Sequence, residues 1–300
     1  MKITRILCIV LALLTSLSAL AAVPTHDRSG NAISVPAEIN RVISLAPAST
    51  QIVADLGLLD KLVGVDNTSQ FYVDGVSGLP QFDMMAVDIE RIAALEPDLV
   101  LTSGMSYLDG NPFALLTQMG LCVVDIPSSA SIADVKKDVL FTAALFGMEK
   151  EGQHLVDGMQ NTIDEIAAIG ATISDKKSVL FEIACLPYIY SFGSGTFLHE
   201  MIEIIGAENV LGEMISWVAV NEEDAVASNP DVILTNVNYI EDSVGEILSR
   251  AGWEAVTAVA NRAVYYIDNG RSSLPNHHIA DALIEMAVAV HPEEYAAFAE

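Results

Sequence analysis

The residues with most chemical reach in this chain are six histidines, eight tyrosines and two tryptophans. His26, His154, His199 and His291 form no H-x-x-H or H-E-x-x-H group, the spacings that put imidazoles on one helix face. His277 and His278 are adjacent, and neighbours on a helix point apart, so the pair is not expected to hold a bare metal ion. His277 is instead a candidate axial ligand for a metal that arrives already chelated. Tyr107 follows the apolar run 98–102, and Tyr188 and Tyr190 follow the run 178–184. Both places read as carboxyl ends of strands, where open α/β sheets take ligands. A phenolate oxygen is also a ligand type for haem iron. Arg271 lies in a late loop at a predicted pocket edge, where a guanidinium can meet a ligand carboxylate.

Several reactive patterns are missing. No nucleophile elbow, nucleophile–base set or metal signature is present, so an exported two-lobed enzyme using a metal or cofactor is the second reading. Gly193-Ser-Gly-Thr lacks the Gly-Lys-Ser/Thr that completes a phosphate loop. Cys122 and Cys185 sit in apolar runs without basic neighbours and read as buried free thiols.

The elements that position these residues come in two sets. Val87–Thr102 aligns with Val220–Thr235 at an offset of 133 residues, with seven of 16 positions identical. Each copy opens on a helix cap, Asp88 or Asn221. Each runs about two turns, stops at Pro97 or Pro230, and enters a short continuous apolar strand. Further strands are predicted at 41–45, 61–65 and 178–184, and helices at 51–56 and 197–205. Between the halves, Leu155, Met159, Ile163 and Ile166 make one apolar stripe on a helix over about 150–169. The fold class is therefore α/β: two α/β lobes with mainly parallel sheets joined by one long backbone helix, with the ligand cleft between them. The divisions are a leader at 1–22, an N-terminal lobe at 23–148, the helix at 149–171 and a C-terminal lobe at 172–300.

Charge excludes some partners. Against 40 acids stand 14 Lys and Arg, a net charge of −26, which repels phosphate backbones. Residues 1–22 read as a cleavable secretory signal: Lys2 and Arg5, an apolar run, then Ala19-Leu-Ala21. Ala22-Val23 follows where a lipid-anchored chain would have cysteine, so a periplasmic protein without a lipid anchor is expected.

From about Asn40 to Tyr295 the chain resembles the solute-binding proteins of ABC importers for iron chelates, haem and cobalamin. The resemblance rests on 41–51, 56–65, 89–101, Gly206-Ala-Glu-Asn-Val210 and His291-Pro-Glu-Glu-Tyr295, in that order. It implies no enzymatic activity and no intrinsic cofactor. The cargo would be a metal chelate (ferric siderophore, haem or cobalamin), the partners a membrane permease with its ATPase subunit, and the receptor a monomer. Glu90 and Glu223 hold the same place in the two repeats, where proteins of this kind carry the acids that pair with permease arginines. Trp217 stands where cobalamin binders pack a tryptophan on the corrin, and Phe71 or Tyr72 where they place another aromatic. Met84 departs from that pattern, which has a second tryptophan there. The shortage of basic groups favours neutral hydroxamates, corrinoids or haem over anionic catecholates. A helical connection implies closure of only a few degrees to about ten.

Overall fold

The structure is a computed structural model describing residues 23–107 and 110–299; the leader read at 1–22 lies outside the described residues. The first half holds strands β1 (Val42–Ser44), β2 (Leu62–Asp66), β3 (Gln81–Phe82), β4 (Leu99–Ser103) and β5 (Cys122–Ile126). They form one parallel sheet in the order β3-β2-β1-β4-β5. Its helices are α1 (Pro47–Asp55), α2 (Ile89–Ala94), α3 (Ala114–Gln118) and α4 (Ile132–Leu145). Then comes α5 (Glu149–Gly170).

The second half holds β6 (Ser178–Glu182), β7 (Ile189–Phe192), β8 (Glu208–Asn209), β9 (Trp217–Val220), β10 (Val232–Thr235) and β11 (Val264–Tyr266). Strands β11-β10-β6-β8 form a second parallel sheet, while β7 and β9 make a separate antiparallel ribbon. Its helices are α6 (Phe197–Ile204), α7 (Glu222–Ser228), α8 (Ser243–Leu248), α9 (Thr257–Ala260), α10 (Asn269–Ser273) and α11 (Ile279–Val290). None of the described helices is long and apolar enough to cross a membrane.

The repeat is visible in the pairing. Asp88 caps α2 by accepting from the Arg91 N–H, and Asn221 caps α7 by accepting from the Asp224 N–H. The aspartate after each proline ties its strand to the neighbour. Asp98 Oδ2 accepts from the Asn40 and Arg41 N–H groups, and Asp231 Oδ2 from the Ser178 N–H. Beyond those ties Val42 pairs with Leu99, and Val179 with Val232.

Helix α5 is spliced into both cores. Val156 packs with Ile52, Leu56, Val139 and Ala143 of the first half. Met159, Ile163 and Ile166 lie in the second-half core. Its far end approaches α6 so closely that a Cβ on Gly170 would stand 2.1 Å from the Ile204 carbonyl oxygen. The Tyr295 hydroxyl, fully buried, donates to the Ile166 and Ile205 carbonyls and pins that junction. Helix α4 crosses too: Ile132 and Val135 belong to the second-half core, and the Ile132 N–H donates to Glu200 Oε2 at 2.8 Å.

Some boundaries differ from expectation. Helix α1 starts at Pro47 rather than Gln51, because proline at a helix's first position loses no hydrogen bond. Trp217 opens strand β9, and Cys185 follows β6 in a loop where its N–H donates to the Tyr239 hydroxyl. Cys122 and Cys185 are both free thiols; the first is buried and the second partly exposed.

Candidate functional site

A cavity of about 280 Å³ lies between the halves. From the first half it takes Ala46 to Ser49 beyond β1, Met84 beyond β3, Ser103 and Met105 at the end of β4, and Ile126 to Ser129 at the end of β5. The second half contributes Phe197 at the start of α6, Trp217, and Ser273 to Pro275 beyond α10. The carboxyl ends of parallel strands thus build most of the wall. The lining is apolar with serine hydroxyls, and no Lys, Arg or His lines it among the described residues. Its one acid, Asp138, accepts from Ser129 Oγ at 2.7 Å and from Arg28 Nε at 2.5 Å. Burial still pushes that carboxyl above its ordinary range.

Trp217 lines the cavity. Its indole is 38% exposed and stands edge-on to the fully buried Phe192, with ring centroids 6.0 Å apart. Met84 and Met105 line the same cavity.

A second space, a groove of about 760 Å³, also touches both halves. Phe71, Tyr72 and Arg271 lie here. Phe71 is 74% exposed, and the Tyr72 hydroxyl donates across to Asn269 Oδ1 at 2.8 Å. Arg271 is already paired, with Nη1 2.6 Å from Glu285 Oε1. Asp55 on α1 reaches His277 Nε2 at 3.1 Å and His278 Nε2 at 2.8 Å across the gap. The two imidazoles do not point apart as expected of helix neighbours. They precede α11 in a turn, and their ring centroids stand 4.3 Å from each other.

The remaining tyrosines lie elsewhere. Tyr107 packs with Phe113 at 5.4 Å and approaches Thr102 Oγ1 at 3.2 Å; burial pushes its phenol up to about 12. Such a phenol gives up its proton reluctantly, which is unhelpful for binding iron. Tyr188 is 79% exposed in the loop after β6, and Tyr190 faces outward on β7.

Glu90 and Glu223 are exposed and occupy the second position of α2 and α7 respectively. Their neighbour Glu222 differs: Oε1 accepts from the indole N–H of buried Trp253 at 2.9 Å.

The family model described as periplasmic binding protein matches residues 42–270. The chain belongs to the periplasmic binding protein family. It is 30% identical over 277 residues to YvrC, an ABC transporter substrate-binding lipoprotein of Bacillus subtilis, covering 91% of this chain and 87% of that one. To the vitamin B12-binding protein of Salmonella typhimurium it is 28% identical over 216 residues, 69% and 74% of the two chains. The molybdate-bound MolA structure of Haemophilus influenzae matches with a TM-score of 0.79 at 20% identity, over 92% of this chain and 93% of that one. At that identity the likeness speaks for the fold alone. The family captures solutes for ABC transporters rather than converting them, so the enzyme reading gives way to that of a substrate-binding protein.

Within this binding protein the serines of the cleft went unnamed from sequence, as did Met105, Phe197 and the 273–275 segment. A usable signal existed for two of the first-half serines. Ser49 and Ser103 follow predicted strands, the same carboxyl-edge position that marks Tyr107.

Proposed function

We propose that the cargo is a neutral or weakly charged metal chelate of the corrinoid, haem or hydroxamate type, held between Trp217 and the Met84–Met105 wall. The observation that carries this is the lining itself: apolar groups and serine hydroxyls, no cationic side chain among the described residues, and an acid already occupied by Arg28 and Ser129. An anionic catecholate chelate entering such a site would lose hydration without meeting a countercharge. A flat macrocycle gains contact area from the indole at low entropy cost. In this reading 23–148 and 172–300 are the jaws and 149–171 the connection. The protein is exported to work outside the cytoplasmic membrane, acts as a monomer, and docks on the permease through Glu90 and Glu223.

A second reading, a small oxyanion held by the serines, is favoured by the cavity's modest volume. A thermal-shift panel of cobalamin, haem, a ferric hydroxamate, a ferric catecholate and molybdate separates them. A ligand that binds only the folded state stabilises it by about 2.7 kcal/mol at a hundredfold excess over Kd. A shift with a neutral chelate, weakened about tenfold in affinity by Trp217→Ala, supports the first reading. A shift with molybdate alone supports the second, and a catecholate response alone refutes both.

A further inference from the structure

The cluster where α1 meets the turn before α11 belongs to neither the cleft nor the docking acids. We propose that Asp55, His277 and His278 bind one divalent transition-metal ion of the Zn²⁺ type, which fastens the two lobes to each other beside the groove.

The geometry comes first. Asp55 Oδ2, His277 Nε2 and His278 Nε2 lie within 4.8 Å of one another, with the two oxygen–nitrogen separations at 3.1 and 2.8 Å. Ligand atoms about 2.0–2.1 Å from Zn²⁺ in a tetrahedron stand about 3.3–3.4 Å apart. A shift of about half an ångström in these side chains therefore opens the cluster enough for the ion.

The hydrogen-bond chemistry points the same way. His278 Nδ1 lies 3.5 Å from Asp281 Oδ2, the carboxylate–histidine arrangement that holds an imidazole with its Nδ1 protonated and its Nε2 lone pair forward. Nε2 in turn lies 2.8 Å from Asp55 Oδ2, a contact that is bridged by a proton on the ring or by a metal ion shared between the two atoms. A proton serves one such pair. Here a second imidazole nitrogen converges on the same oxygen, its ring tilted 34° to the first with centroids 4.3 Å apart. One divalent ion would satisfy all three atoms at once. The His277 side chain is only 10% exposed, and its Nδ1 is buried with no partner, so Asp55 holds its one polar contact among the described residues.

The surroundings attract cations. Asp55, Asp74, Asp268 and Asp281 line the groove, and its arginine, Arg271, is already bound to Glu285. Asp55 and His278 are each about one-third exposed, which leaves water access for the remaining coordination positions. The donor set of two imidazoles and one carboxylate suits Zn²⁺, Co²⁺ or Ni²⁺ better than Ca²⁺ or Mg²⁺, which prefer all-oxygen shells. The proposal stands whatever cargo the cleft takes.

The test uses the mature chain and metal alone. Isothermal titration with Zn²⁺ should show one equivalent bound. Co²⁺ should give visible d–d absorption, and melting temperature should rise by roughly 5–10 °C at a hundredfold excess over Kd. The double variant His277→Ala/His278→Ala should lose all three signals, and Asp55→Asn should weaken binding at least tenfold. Where the double variant does not fold, His278→Gln, which keeps a neutral side chain of similar reach, replaces it. A wild-type chain that takes up no Zn²⁺ overturns the proposal, as does binding that survives unchanged in the folded variants.

Discussion

Glu96 and Asn229, 133 positions apart, both hold the left-handed backbone conformation, with φ of 45° and 42°, immediately before Pro97 and Pro230. Each turns the chain out of a short helix and into a strand in the middle of its sheet. The likeness of the two units therefore extends to backbone torsion at a position where the residue types differ.

That difference has an energetic consequence. Asparagine tolerates the left-handed region, while glutamate meets a Cβ clash costing roughly 1–2 kcal/mol. Glu96→Gly should raise stability by about 0.5–1 kcal/mol in urea denaturation, and Asn229→Gly should change it by less than about 0.5 kcal/mol. Equal effects at the two sites would mean the strain is not stored there.

The buried Glu182–Arg250 pair should be unforgiving. Arg250 Nη1 and Nη2 contact the two Glu182 oxygens at 2.8 and 2.6 Å, both side chains being nearly inaccessible. Burial pushes the Glu182 carboxyl up, although Arg250 pulls the other way. Arg250→Met leaves that carboxylate without its partner and should cost about 3–5 kcal/mol in denaturant melts. Adding Glu182→Leu should recover most of the loss.

His291 should make stability sensitive to mild acid. Its imidazole is buried, and that burial holds it below the ordinary value of 6.5. Below about pH 6.5 the unfolded chain takes up a proton that the folded chain resists. Stability from this group thus falls as pH drops through that range, by up to about 1.4 kcal/mol per pH unit. The difference between wild-type and His291→Phe stability curves should slope below pH 6.5 and be flat above it. A flat difference throughout would show the imidazole is free to charge in the fold.

Docking should separate from capture. Glu90→Arg with Glu223→Arg should abolish transport in an uptake assay and leave cargo affinity unchanged, since both side chains are exposed and neither lines the cleft. Glu222→Ala is the contrasting variant: it strips the Trp253 indole of its acceptor and should lower melting temperature instead. Normal uptake by the double variant would remove both glutamates from the interface.

Much of the scaffold was readable because its signals are local. The proline at each helix end, the caps at Asp88 and Asn221, and the continuous apolar strands all act within a few residues. Of the stripe Leu155–Met159–Ile163–Ile166 the last three likewise marked the buried face of α5, while Val156 rather than Leu155 is buried at its start. The site was less legible because it depends on which chain ends meet across a gap. Trp217 stood out only through the resemblance to cobalamin binders, and nothing near it showed that β9 would pair with β7 or that Phe192 would brace it. Adjacent histidines were expected to diverge because a helix was assumed; the turn before α11 removes that constraint. Arg271 looked free until α11 brought Glu285 beside it.

The double crossing by α4 and α5 should keep cargo-linked motion small. Small-angle scattering should show less than about ten degrees of closure on loading, as expected for packed helices rather than extended linkers. A large compaction would contradict the shared cores seen at Ile132, Val135 and Met159.

Glu200 reaching over to hold the first amide of α4 carries this further. On that expectation, a receptor bolted in this way would have no large gesture with which to announce that it is full. If docking runs through Glu90 and Glu223 as proposed, whatever inspects it at the membrane would have to sense the passenger itself or small shifts at those two acids. Selectivity at the docking step would then be tactile rather than mechanical.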